Sequence, residues 1–188
     1  MARDGAGWRI QSNIQTTWPE EIVAAVDWEL DESLATRVLH IHSWERFSGH
    51  HELELTVSGN GLLAHRDAPD GPTQVELGWG PAAELDYISA AFPAVMLARA
   101  GLALGEVRHI DAIQVATVDL VPVVVPQRLR RLPLEPENMP QVLDQPAAVV
   151  VECMVIDTGH VARISTSGSG TLLGYSGLLT LAWLEPTK

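Results

Sequence analysis

The chain has 188 residues, 46% of them hydrophobic and 19% charged, with 12 basic against 24 acidic side chains and a formal net charge of -12. That charge excludes general affinity for nucleic acid or anionic headgroups, and no apolar run reaches the ~18 residues of a membrane span, so stable membrane insertion is excluded too. One domain over residues 1–188 is expected, with a core and room for a pocket.

The single Cys153 excludes an intrachain disulfide and a cysteine-rich zinc site. Nothing in that cysteine usage suggests an oxidising compartment, so the chain reads as cytoplasmic, and residues 1–15 hold no apolar core of signal-peptide length. Lys188 is the only lysine, which removes Schiff-base and P-loop lysine chemistry from the body of the chain.

In chain order, Thr17-Trp18-Pro19-Glu20-Glu21 offers an N-cap, an early proline and two acids, and Ile22, Val23, Val26 and Leu30 form a stripe at helical spacing. A short helix is predicted over about 19–30. The period then changes to two in Thr36–Trp44 and His51–Val57, which reads as two antiparallel strands. Turn clusters at Ser58-Gly59-Asn60-Gly61, Gly71-Pro72 and Gly78-Trp79-Gly80-Pro81 cut the following stretch into short segments of a meander. Good helix formers from Phe92 to Ala100, stopped by Gly101, predict a second short helix.

From Glu106 to Leu132 the β-branched content predicts two strands, the second pushed towards an edge or bulge by Pro122 and Pro126. Pro133 to Pro146 carries four prolines and reads as a loop. Ala147–Ile156, Val161–Ser165, Thr171–Tyr175 and Leu178–Trp183 read as closing strands, with a hairpin tip at Gly168-Ser169-Gly170. The fold class expected is mostly β and antiparallel, with one or two short helices.

Chemistry is sparse along this pattern. His40 and His42 share one strand face, with Glu45, His50 and His51 close by in sequence, the donor types of half a cupin metal motif, so a metal-dependent enzyme on His40, His42 and Glu45 is one alternative. The more economical reading is two partly exposed histidines and no metal. Ser167-Gly168-Ser169-Gly170 lacks the strand-to-helix context of a nucleophile elbow, and Cys153 sits among apolar residues where a thiol is inert. Six tryptophans accompany only two Tyr and two Phe; Trp44 and Trp79 stand beside turns or strand ends, where a cavity mouth would be. Arg128 and Arg130 share a face of their strand and Arg131 points away, so one of the pair is a candidate for a ligand's polar head.

The second half resembles a family. Glu84-Leu85-Asp86-Tyr87-Ile88-Ser89, the run Met96 to Glu106 with Arg99 before its Gly-Leu-Ala-Leu-Gly-Glu turn, Pro126-Gln127-Arg128, and Gly174-Tyr175-Ser176-Gly177-Leu178-Leu179 are similar to motifs of the glycolipid-binding family of bacterial proteins, whose function is uncharacterised. The resemblance covers residues 84 to 183. It departs at Ala90-Ala91-Phe92-Pro93-Ala94, where the family has a more polar segment, and at Leu129, where it has a tyrosine. It implies a spiral β-roll or half-open barrel with an apolar interior, and a binding activity. On that reading the chain is a non-enzymatic protein for a lipid or glycolipid-like ligand and needs no cofactor. Trp44, Trp79, Tyr87 and Tyr175 would line the mouth, and Arg99, Gln127 or Arg128 would meet the head. A third alternative is a β-edge interaction module that pairs with a second copy as a homodimer.

Overall fold

The structure, a computed structural model, describes residues 2–4, 7–16, 21–81, 83–135, 147–168, 172–175 and 179–180. The chain divides into two compact units, Met1–Ser89 with Asp111–Val124 and Ala90–Ile110 with Val125–Lys188.

In the first unit seven strands follow one another as an antiparallel meander: β1 (Ala2–Asp4), β2 (Gly7–Thr16), β3 (Ile22–Asp31), β4 (Thr36–Glu45), β5 (Gly49–Ser58), β6 (Gly61–Asp67) and β7 (Thr73–Gly78). Alternation sorts their side chains. Ala24, Val26, Trp28 and Leu30 of β3, Leu39 and Ile41 of β4, Leu53 and Leu55 of β5, and Leu62 and Ala64 of β6 are buried on one face, while Val23, His42, Trp44, His50, Glu52, Glu54 and His65 project from the other.

Strand β3 replaces the helix predicted over 19–30; residues 19 and 20 lie outside the described residues. The helical stripe of Ile22, Val23, Val26 and Leu30 competes with a cleaner period of two. Ile22, Ala24, Val26, Trp28 and Leu30 all fall on the buried face of a strand, whereas in a helix the same five would be spread around the axis. Cross-strand pairing decides between them, since β3 is matched along its length by both β2 and β4. The buried Trp28 indole donates to Thr36 Oγ1 at 3.2 Å, so its one polar atom is satisfied.

The first unit also holds β8 (Ala83–Asp86), which pairs in parallel with residues 111–114 of β9 (Val107–Val115), an exception to the antiparallel rule. A parallel pair needs a crossover, and the chain between these strands contains α1 (Ala91–Ala100). The helix predicted from Phe92 to Gly101 is therefore present. Gly101 takes the left-handed conformation at φ 51° and its N–H donates to the Leu97 carbonyl at 3.1 Å, the stop that glycine supplies without a Cβ penalty.

In the second unit β10 (Pro122–Leu132, from residue 125 on), β11 (Val149–Val155), β12 (Val161–Thr166), β13 (Leu172–Tyr175) and β14 (Leu179–Thr180) are successive antiparallel neighbours. The edge position expected for β10 from its prolines is not found: residues 127–132 pair with β11, and on the other side Arg131 exchanges backbone bonds with Gly105 and Glu106. Pro122 opens the strand, and Pro126 sits at the end of the ladder to β11, where its carbonyl accepts the Ile156 N–H at 3.0 Å and only the reciprocal donor is missing. Most of the Pro133–Pro146 loop, the Ser169–Gly170 part of the hairpin tip and residues 181–183 lie outside the described residues. The fold class expected, mostly β and antiparallel, of half-open barrel type with one or two short helices, is the one observed, with a single helix among the described residues. Among the described residues no helix is long and apolar enough to cross a membrane.

The sorting of β5 predicts unequal costs for two truncations. Leu55, fully buried, should lose about 2–5 kcal/mol on replacement by Ala, and His42→Ala on the outer face of β4 should stay within about 0.5 kcal/mol of wild type. Urea denaturation followed by far-UV circular dichroism measures both.

Candidate functional site

Two features of the first unit have the makings of a site. One is an open hollow of about 450 Å³ where β7 ends. Gly78 and Gly80 flank Trp79 there, and a Cβ on either glycine would meet nothing within 4 Å, so both positions face open space. Trp79 is largely buried and is held by its backbone N–H, which donates to the Asn60 carbonyl at 2.8 Å. Pro81 and Val124 add apolar surface; Asn60 and Asp111 supply a carboxamide and a carboxylate. An aromatic wall with two polar groups at its border suits a molecule that is apolar along one side and rich in hydrogen-bond donors at the other.

The other feature is the outer face of β4, β5 and β6. Register sets His42 opposite Glu52 and Glu52 opposite Asp67; one step along, His40 stands opposite Glu54 and Glu54 opposite His65. His50 lies two residues before Glu52 on the same face of β5. The contacts follow: His50 Nε2 is 3.0 Å and His42 Nδ1 3.4 Å from Glu52 Oε1, and His40 Nδ1 is 3.7 Å from Glu54 Oε2. The His42 and His50 rings stack with centroids 6.5 Å apart and planes at 22°. The hydrogen bond from His50, and then the nearby His42 charge, hold the Glu52 carboxyl below its ordinary value. A hollow of about 240 Å³ borders this ladder of imidazoles and carboxylates.

Glu45 does not join it. Three residues after His42 it has the opposite parity, is buried on the inner face, and is spent on the β4–β5 turn. It accepts the backbone N–H of Phe47 at 3.0 Å and of Ser48 at 2.6 Å, which together hold its carboxyl below its ordinary value. The metal set His40, His42 and Glu45 is therefore corrected. The partners that register brings to His42 are Glu52 and His50, and the signal for them was the short turn between two alternating strands, which equates even positions of one with even positions of the other.

The remaining sequence candidates are spread over both units. In the first, Trp79 lines the larger hollow, Trp44 is 44% exposed on the outer face opposite His50, and Tyr87 is buried just after β8, where desolvation pushes its phenol up to about 12. In the second, Arg99 is half-buried in the last turn of α1. Gln127 is buried, and its Oε1 accepts the Cys153 thiol at 3.1 Å, so this cysteine is an interior group. Arg128 projects from the opposite face of β10, with Nη2 at 3.5 Å from Met154 Sδ and 3.9 Å from Glu152 Oε1. Tyr175 belongs to β13, but its side chain is outside the described residues.

One first-unit residue with no sequence signal is Arg66, buried on the inner face of β6. Its Nε donates to the Asp119 carbonyl and its Nη1 to Asp70 at 3.0 Å, which anchors the turn where Leu120 adopts a left-handed φ of 54°.

No family model matches the sequence, and no curated protein matches it. The crystal structure of a DUF1089 family protein from Pseudomonas aeruginosa is similar, with a TM-score of 0.61 and 16% identity over 96% of this chain and 95% of that one. At that identity the likeness is one of fold and carries no ligand.

Glu45 yields a signed prediction. Its carboxyl is depressed in the folded chain relative to its ordinary value of 4.5, so its stabilisation of the β4–β5 turn is fully present above that pH and is lost as pH falls through the folded value. Glu45→Gln should lower the urea midpoint at pH 7, and the difference from wild type should shrink steadily as pH drops below 4.5.

Proposed function

We propose that this chain is a non-enzymatic, cytoplasmic binding protein for an amphipathic molecule of lipid or glycolipid type, and that the hollow beside Trp79 receives it. The observation that carries the reading is the hollow itself: about 450 Å³, bounded by Trp79, Pro81 and Val124, with Asn60 and Asp111 at its border. That volume falls in the ~300–1,000 Å³ span of small-molecule sites. The carboxylate of Asp111 and the net charge of -12 favour a hydroxylated or cationic head over an anionic one. A sugar head, with several hydroxyl donors, satisfies a carboxylate and a carboxamide together.

Exposed valines support the apolar half of the reading. Val121, Val123 and Val124 are exposed where β10 begins, before its pairing with β11 starts, and Val124 also borders the hollow. Each buried methylene contributes roughly 0.8 kcal/mol; in an open hollow only part of an acyl chain is covered, and association itself is costly. The expected affinity is therefore modest, with a Kd of roughly 10 µM to 1 mM.

The test is calorimetric titration with an eight-carbon alkyl glucoside below its critical micelle concentration, on wild type and on Gly80→Leu. A side chain at position 80 enters open space at the border of the hollow, so the variant should fold while obstructing access to it. Saturable binding to wild type, weakened at least ~10-fold in Gly80→Leu, is expected. Absence of binding, or equal binding by the two proteins, would contradict the proposal.

A further inference from the structure

We infer that His42, His50 and Glu52 form a binding site for a divalent transition ion of the zinc type on the outer face of β4 and β5. The three side chains each offer a ligand atom, and these atoms all lie within 4.8 Å of one another. Two donors bound at ~2.0–2.1 Å to a tetrahedral ion stand ~3.3 Å apart. Glu52 Oε1 is already 3.4 Å from His42 Nδ1 and 3.0 Å from His50 Nε2, so two of the three separations match the edge of such a tetrahedron before any ion enters.

The donor chemistry selects the ion. Two imidazole nitrogens and one carboxylate oxygen suit zinc, copper or nickel, whereas magnesium and calcium take all-oxygen sets. The backbone supports the arrangement independently of the side chains. His42 and Glu52 are direct cross-strand partners, and His50 shares their face two residues away, so the Cα positions of all three donors are fixed by hydrogen-bonded ladder rather than by a loop. The Glu45 cap on the intervening turn holds that register.

Neighbouring groups add to the field. Asp67 stands opposite Glu52 on β6 and contributes a further negative charge near the ion. With three protein ligands on an exposed face, the fourth position is left to water, the ligand count of an open zinc site. The inference is separate from the hollow beside Trp79, because it rests on residues of the opposite end of the β4–β5 pairing and on a different ligand class.

The experiment is zinc titration of the metal-free full-length chain by calorimetry at pH 7.5, with cobalt absorption as a second readout of a four-coordinate nitrogen and oxygen environment. Wild type should bind one equivalent saturably, and His50→Ala and Glu52→Gln should each weaken binding at least ~10-fold, while His160→Ala, at an exposed position of the other unit, leaves it unchanged. These side chains are exposed, so circular dichroism should show intact variants. No saturable zinc binding below ~1 mM, or binding that survives His42→Ala with His50→Ala and so belongs to another group such as His40, Glu54 and His65, would overturn the inference.

Discussion

The register of β4 against β5 is the constraint on which the chemistry of the first unit depends. Because side chains alternate, a one-residue slip of β5 against β4 would carry Leu53 and Leu55 to solvent and Glu52 into the core, away from His42. The apolar face makes that slip costly, and the buried Glu45 carboxylate reinforces it by binding the N–H groups of the turn. The outer-face ladder of histidines and carboxylates is thus positioned by the hydrophobic core beneath it. Its residues are exposed, and nothing about their own packing would hold them in line.

The hollow beside Trp79 is made by a different device. At the end of β7 the chain places glycine on both sides of a tryptophan, so a large aromatic ring stands between two positions that carry no side chain, at the border of an open hollow. Burial of Trp79 keeps the ring in one orientation, and its backbone bond to Asn60 ties it to the β5–β6 turn. A preformed aromatic wall loses little freedom on binding, which is the condition under which a modest apolar area yields measurable affinity. The similarity to the DUF1089 family structure fits this frame of strands and leaves the ligand to be argued from the residues themselves.

Much of the fold was legible from local pattern. Period-two alternation located β4 and β5, and a run of helix formers closed by Gly101 located α1. The error at 19–30 shows where local pattern fails. Ile22, Val23, Val26 and Leu30 satisfy a helical stripe, and only pairing with β2 and β4 reveals that Ala24 and Trp28 belong to the same buried row. Pro126 misled in the same way, because a proline inside a sheet is tolerated at the end of a ladder, where its carbonyl still accepts the Ile156 N–H. At the candidate sites, Trp79 and His42 were found from their residue types and settings. Glu45 was misassigned because proximity in sequence was weighed above parity; His50 was noted beside the pair but not chosen, and Glu52 was passed over because a cross-strand partner is a long-range fact. Gln127 and Arg128 were offered to the same ligand head, yet adjacent positions of a strand face opposite ways: one bonds the buried Cys153 and the other lies beside Glu152.

The most direct measurement of the binding account is a two-dimensional ¹H–¹⁵N correlation spectrum of the labelled chain, titrated with an alkyl glucoside below its critical micelle concentration. The account predicts saturable shifts concentrated at Asn60, Gly78, Gly80, Asp111 and the Trp79 indole N–H, the groups bordering the hollow. Shifts that never saturate, or that gather elsewhere and leave the Trp79 indole unmoved, would contradict it.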